Sequence, residues 1–119
     1  MDLLLYLRTR DQTCDAKAKY NKKTIIVLKG SQIRLSFANH VRGGKTAKRY
    51  RSDPEYVDVN GVVINDCIFN SPSTAAQFVT GSSVNGWEAW HVNKKTSLKD
   101  YMNSLQENKL EEEHGTFDS

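Results

Sequence analysis

Residues 69–90 read FNSPSTAAQFVTGSSVNGWEAW, a capped helix, a break and an aromatic segment with little slack between them. Ser71 suits an N-cap, because its hydroxyl accepts from the free N–H groups of a first turn. Pro72 follows at the first helical position, where a missing N–H costs nothing and a fixed φ helps. Thr74 to Val79 supply one short helix, and Gly81 can take the left-handed conformation that closes it. Asn85-Gly86 reads as a turn dipeptide delivering Trp87 and Trp90 onto an extended segment, Trp87 to Val92. On a strand, residues three apart point to opposite faces, so the two indoles should differ clearly in exposure. Phe69, Phe78 and Val79 are core candidates.

Working outward, Tyr56 to Ile64 alternates valines around Asn60-Gly61 and predicts a β-hairpin with a type I′ turn, which needs positive φ at both central residues. Cys67, Ile68 and Phe69 lead from it into the Ser71 helix. Leu3 to Arg8 and Lys22 to Lys29 read as strands, joined through a polar connection, Arg10 to Asp15. Gln32 to Ala38 is ambiguous: Ile33, Leu35 and Phe37 alternate like a strand, while Ile33, Phe37 and Val41 also fit a helix face; strand is preferred. Arg42-Gly43-Gly44 reads as a joint, and Lys45 to Arg51 as one or two helical turns stopped at Asp53-Pro54. A last helix starts near Ser97, with Leu98, Tyr101, Met102 and Leu105 on one face and Ser97 with Asp100 approximating a capping box. The expected fold is α+β: a small antiparallel sheet of about four or five strands with two or three short helices against it. Residues 1–110 form one domain, and the acidic stretch 111–119 reads as a disordered tail.

The chain has 119 residues, enough for one domain with a small core. No apolar run approaches the roughly 20 residues of a membrane span. Leu3 to Leu7 is too short for the apolar region of a signal peptide and lacks its basic start. Cys14 and Cys67 are the only cysteines, and their separation and lack of partner motifs argue for reduced thiols in a cytoplasmic protein, with a single disulfide between them as the alternative. The net charge of +3 hides an asymmetry: residues 1–60 hold 13 of the 17 Lys and Arg against 6 acids, a balance of +7, and the remainder stands at −4. A basic half suits an anionic partner, although solvated basic residues are common on any surface.

Ser-Pro-Ser-x-Ala-Ala at 71–76, Val79-Thr80-Gly81 and Ser83-Val84-Asn85-Gly86-Trp87-x-x-Trp90 resemble the signature of two similar families. One is the uncharacterised domain at the C-terminus of GIY-YIG nuclease family proteins (domain of unknown function 4357), also found in other restriction-linked proteins. The other is the RAMA domain, the restriction enzyme adenine methylase associated domain. Thr24 to Ser31, TIIVLKGS, resembles a strand of the first family, so the likeness spans roughly Leu5 to Tyr101. The resemblance implies an accessory domain of a restriction-type or GIY-YIG nuclease system, without the nuclease motif itself. RAMA domains are associated with recognition of DNA, including modified DNA. The Thr24–Ser31 match fits the nuclease-associated family better, so reading of methylated adenine does not carry over.

Chemistry finds no foothold in the motifs. His40, His91 and His114 are scattered, without cysteine or carboxylate at metal-ligand spacing. There is no Gly-x-Ser-x-Gly elbow, and Lys29-Gly30-Ser31 has the wrong order for a phosphate-binding loop. No enzyme, metal, cofactor or small-molecule substrate is therefore expected. The densest cationic cluster is Arg42, Lys45, Lys48, Arg49 and Arg51, with Tyr50 inside it. Such a cluster can track phosphates while Tyr50 stacks on a base, or it can be a solvated loop. Ser71 and Ser73 at a helix N-terminus could seat a phosphate, though plain capping explains them too. Asn85 and whichever of Trp87 and Trp90 is exposed are candidates for reading a base; a turn role for Asn85 is the plainer alternative. The expectation is a non-catalytic domain that contacts DNA through its basic segment. The alternative is a protein-interaction module that docks a nuclease or methyltransferase domain without touching DNA.

Overall fold

A computed structural model describes residues 3–35 and 45–105. Four strands, β1 (Leu3–Arg8), β2 (Asp15–Tyr20), β3 (Ile25–Val27) and β4 (Cys67–Phe69), form one antiparallel sheet in the order β1-β2-β3-β4. Leu5 pairs with Ala18, Ala18 with Val27, and Val27 with Cys67, which fixes the register across the sheet. Because side chains alternate, this row faces inward with Leu7, Ala16, Tyr20, Ile25 and Phe69, all buried. Helices α1 (Lys45–Arg51), α2 (Pro72–Thr80) and α3 (Gly86–Ala89) and a terminal helix α4, described over residues 98–105, complete an α+β fold. Ala75, Ala76, Phe78 and Val79 of α2, with Trp90 and Leu98, close the core over the inner face. None of the described helices is long and apolar enough to cross a membrane.

The α2 boundaries follow the sequence expectation. Ser71 Oγ accepts the Thr74 N–H at 3.2 Å, Pro72 opens the helix, and Gly81 at φ +72° donates to the Gln77 carbonyl. Ser97 likewise caps α4, its Oγ accepting the Asp100 N–H. Of the expected α4 face, Leu98 is buried and Tyr101 and Met102 half-buried, but Leu105 is exposed. Cys14 and Cys67 are buried free thiols, and burial pushes the Cys67 thiol up to about 12.

Several elements differ from the sequence reading. Strand β2 went unrecognised, because its inward residues are mostly alanines between lysines and carry a weak period-2 signal. The expected Lys22–Lys29 strand shrinks to β3: Asn21 Oδ1 accepts the N–H groups of Lys23 and Thr24, and Lys22 sits at φ +75°, so the start is a turn. Cys67–Phe69 is itself a strand. Between Gln32 and Leu35 only isolated bridges form, Gln32 with Asp15 and with Val62.

The hairpin forms, but its turn is not type I′. Only Gly61 has positive φ, +79°, while Asp58 Oδ1 accepts the N–H groups of Asn60 and Val62 and the Gly61 N–H reaches the Asp58 carbonyl. This is an Asp58–Gly61 turn closed by a glycine bulge, and the Asp58 side chain selects it. A Cβ at Gly61 would also lie 2.7 Å from the Ile33 carbonyl oxygen.

The first half of the expected Trp87–Val92 strand lies in the helix α3, and Trp90 is extended at its C-cap; beyond it only His91 pairs, in isolated antiparallel bridges with Tyr6 and Ser97. Asn85 is the N-cap of α3, at φ −78°, with Oδ1 accepting the Trp87 N–H at 3.0 Å. Asn85 at negative φ caps a helix, so the positive-φ turn that Asn-Gly suits does not form at Asn85-Gly86. The segments 36–44, including Arg42, Gly43 and Gly44, and 106–119, including the acidic tail, lie outside the described residues.

Candidate nucleic-acid interface

Helix α1 sorts the basic cluster by its 3.6-residue period. Lys45, Lys48 and Arg49, at i, i+3 and i+4, share one exposed face, while Ala47 is buried on the other. Tyr50 points inward. Its ring packs edge-on against Tyr56 at 4.9 Å and Phe69 at 5.2 Å, and its Oη accepts the Ile68 N–H at 3.3 Å. A half-buried ring committed to that cluster is no platform for a base. Arg49 lies over its outer side, 5.9 Å from the ring centre.

Arg51 also turns inward. Its Nε donates to the Phe78 carbonyl at 2.8 Å and its Nη2 to the Val79 carbonyl at 3.4 Å, at the C-terminal end of α2. A cation there satisfies orphan carbonyls and complements the helix dipole. Burial, with Arg34 nearby, lowers its pKa to about 10, and it remains charged at neutral pH. Arg34 joins it, donating from Nη1 to the Thr80 carbonyl at 3.3 Å and pairing with Asp11 at 3.5 Å. Hydrogen bonds from the Thr9 and Thr13 hydroxyls and the Thr13 N–H, with Arg34 close by, hold the Asp11 carboxyl down at about 2. Arg34, Lys48, Arg51 and Asp58 line a cleft of about 450 Å³ between α1 and the hairpin.

The N-terminal end of α2 is closed in a different way. Ser73 Oγ accepts the Gly86 N–H at 3.1 Å, and the Trp90 indole donates to the Pro72 carbonyl at 3.0 Å. Gly86 sits so close that a Cβ would overlap the Pro72 carbonyl group and the Ser73 nitrogen. Ser73, Gly86 and Trp90 therefore form one clasp between α2 and α3, while Ser71 and Asn85 each cap their own helix. Trp90 is fully buried, and Trp87 is half-buried with its ring edge-on to Tyr20 at 6.0 Å. The two indoles differ in exposure as expected, from a helix rather than a strand. Five residues of the most distinctive motif thus serve the fold.

Sequence reading passed over a second surface. The outward row of β1, Leu4, Tyr6 and Arg8, stands beside Lys17 and Lys19 of β2, with Ile26 and Ile68 beyond. Among the described residues no helix covers this side, where Leu4 is 41% and Ile68 53% exposed. The alternation of LLLYLR and of DAKAKY was the available signal. Among the described residues no group of three His, Cys, Asp or Glu could hold a metal ion.

No curated protein and no solved structure matches the chain. A family model does match, over residues 5–102, from β1 into α4 and including the whole α2–α3 clasp. The chain belongs to the family described as Domain of unknown function (DUF4357).

Proposed function

We propose that this chain is a non-catalytic nucleic-acid-binding accessory domain of a restriction-type or GIY-YIG nuclease system. The observation that carries the reading is the outward face of α1, where Lys45, Lys48 and Arg49 lie within about one helical turn. They project from a half that holds +7 of charge, opposite in sign to the rest of the chain. Long cations on one face neutralise phosphates and release counterions, which supplies affinity without sequence choice. Arg51 and Tyr50 support the helix from below instead of touching DNA. The resemblance to restriction-linked domains points in the same direction.

The experiment is fluorescence anisotropy of labelled duplex and single-stranded DNA at low salt, with the full chain and a Lys45→Ala/Lys48→Ala/Arg49→Ala variant. Loss of most duplex binding in the variant, with an unchanged melting temperature, is the expected result. Equal duplex binding by both proteins would remove α1 from the interface. The side of the sheet that no described helix covers favours a second reading, a module that docks a nuclease or methyltransferase domain. Under that reading the chain binds no DNA at any salt concentration.

A further inference from the structure

A cleft of about 520 Å³ lies at the β1 edge, lined by Tyr6, Arg8, His91, Val92, Asn93 and Lys94. This volume falls in the range of small-molecule sites. His91 forms its wall by pairing with β1: the Tyr6 N–H reaches the His91 carbonyl and the His91 N–H the Tyr6 carbonyl, both at 2.8 Å. The following loop is fastened too, because Asn93 Oδ1 accepts the N–H groups of Lys95 and Thr96, and the Val92 N–H meets the Thr96 carbonyl. The His91 ring is oriented by Nδ1–H donating to the Ala89 carbonyl at 2.9 Å.

Charge around this cleft is mostly positive. Arg8 and Lys94 line it, and Lys17 stands directly across from Tyr6 in the β1–β2 register, with Lys19 next along the same face. Asp15 pairs with Arg8 at 3.0 Å. Both partners are more than half exposed, and such a pair contributes little and exchanges readily for another anion.

We propose that this edge of the sheet seats one unpaired nucleotide of a single strand, its base against Tyr6 and Val92 and its phosphates on Arg8, Lys17 and Lys94. The inference rests on the nucleic-acid reading above and assigns it a second, separate surface. An aromatic ring in a concave site ringed by cations fits a base with its backbone, and a duplex offers no unstacked base face to enter it. Helix α1 lies at the far edge, where Tyr50 touches β4, three strand spacings or about 14 Å across the sheet. The two surfaces can therefore be disabled independently.

The test is anisotropy of labelled oligo(dT) of twelve nucleotides and of a twelve-base-pair duplex, with the full chain and the variants Tyr6→Leu and Lys94→Glu. The single strand should bind more tightly than the duplex. Tyr6→Leu should weaken single-strand binding about fivefold or more, the effect of losing one stacked base, and leave the duplex within about twofold. Lys94→Glu, an exposed substitution that spares the core, should weaken the single strand as well and decides the matter if Tyr6→Leu fails to fold. No preference for the single strand, or single-strand binding indifferent to both variants, would overturn the proposal. If the duplex still binds through α1 in that case, the general nucleic-acid reading stands. Failure of both DNAs to bind overturns both.

Discussion

Replacing Gly86 by alanine should damage this protein more than any other single-methyl addition at a described glycine. The new Cβ would overlap the Pro72 carbonyl group and the Ser73 nitrogen, which are helix backbone and cannot swing aside. To relieve the overlap α3 must move away from α2, and two bonds then break: Ser73 Oγ to the Gly86 N–H at 3.1 Å, and the Trp90 indole to the Pro72 carbonyl at 3.0 Å. The first is worth about 1 kcal/mol, and a buried indole N–H left without a partner costs about 1–3 kcal/mol. Shifting the fully buried Trp90 adds an overpacking cost of about 1–3 kcal/mol. The total, about 3–7 kcal/mol, is a large share of a net stability of about 5–15 kcal/mol. Urea unfolding followed by tryptophan fluorescence should show the midpoint falling by about 1.5–3.5 M, for a slope of about 2 kcal/mol/M. Gly30→Ala is the control. Gly30 lies at φ +91° with open space around its α-carbon, so alanine there carries only left-handed strain, about 1–2 kcal/mol. A Gly86→Ala midpoint within about 0.3 M of the parent, or a larger loss at Gly30, would refute the clasp.

Two further outcomes follow from the same interactions. Arg51→Met removes two donors from the C-terminal carbonyls of α2 and should lower stability by about 2 kcal/mol in urea, while the salt dependence of DNA binding stays as in the parent. A flatter salt slope in that variant would instead return Arg51 to the phosphate contacts. The folded Asp11 carboxyl titrates near 2, below its ordinary 3.8, so its contribution is complete above about pH 4 and is lost as pH falls through 2. Urea midpoints of the parent and Asp11→Asn should differ at pH 5 and converge toward pH 2; a constant difference across that range would contradict the assignment.

The parts of the fold that sequence makes legible are those where one local interaction decides the conformation. Ser71, Pro72 and Gly81 set α2 without help from distant residues. Asn85-Gly86 misled because two demands compete there. Asn-Gly suits a tight turn, yet Gly86 is required by contact with Pro72, a non-local fact, and Asn85 serves as a cap. Strand β2 was hidden because Ala16 and Ala18 fill inward positions where larger residues would have announced a sheet. The basic cluster was visible as composition, but its division was not. Only the helix period and the end of α2 show that Lys45, Lys48 and Arg49 face out while Arg51 faces in. The Tyr6 cleft depends on His91 pairing with β1 across 85 positions of sequence, and no local pattern reports that.

The salt dependence of duplex binding by the parent chain bears most directly on the proposed role. Three outward cations on α1, each meeting one phosphate, give a slope of log K against log salt of roughly −0.9 for each contact, or about −3. Anisotropy titrations at 50 mM and 200 mM salt should therefore differ in affinity by about fiftyfold. Absence of binding at 50 mM, or binding that the added salt leaves unchanged, would contradict a phosphate-contacting domain.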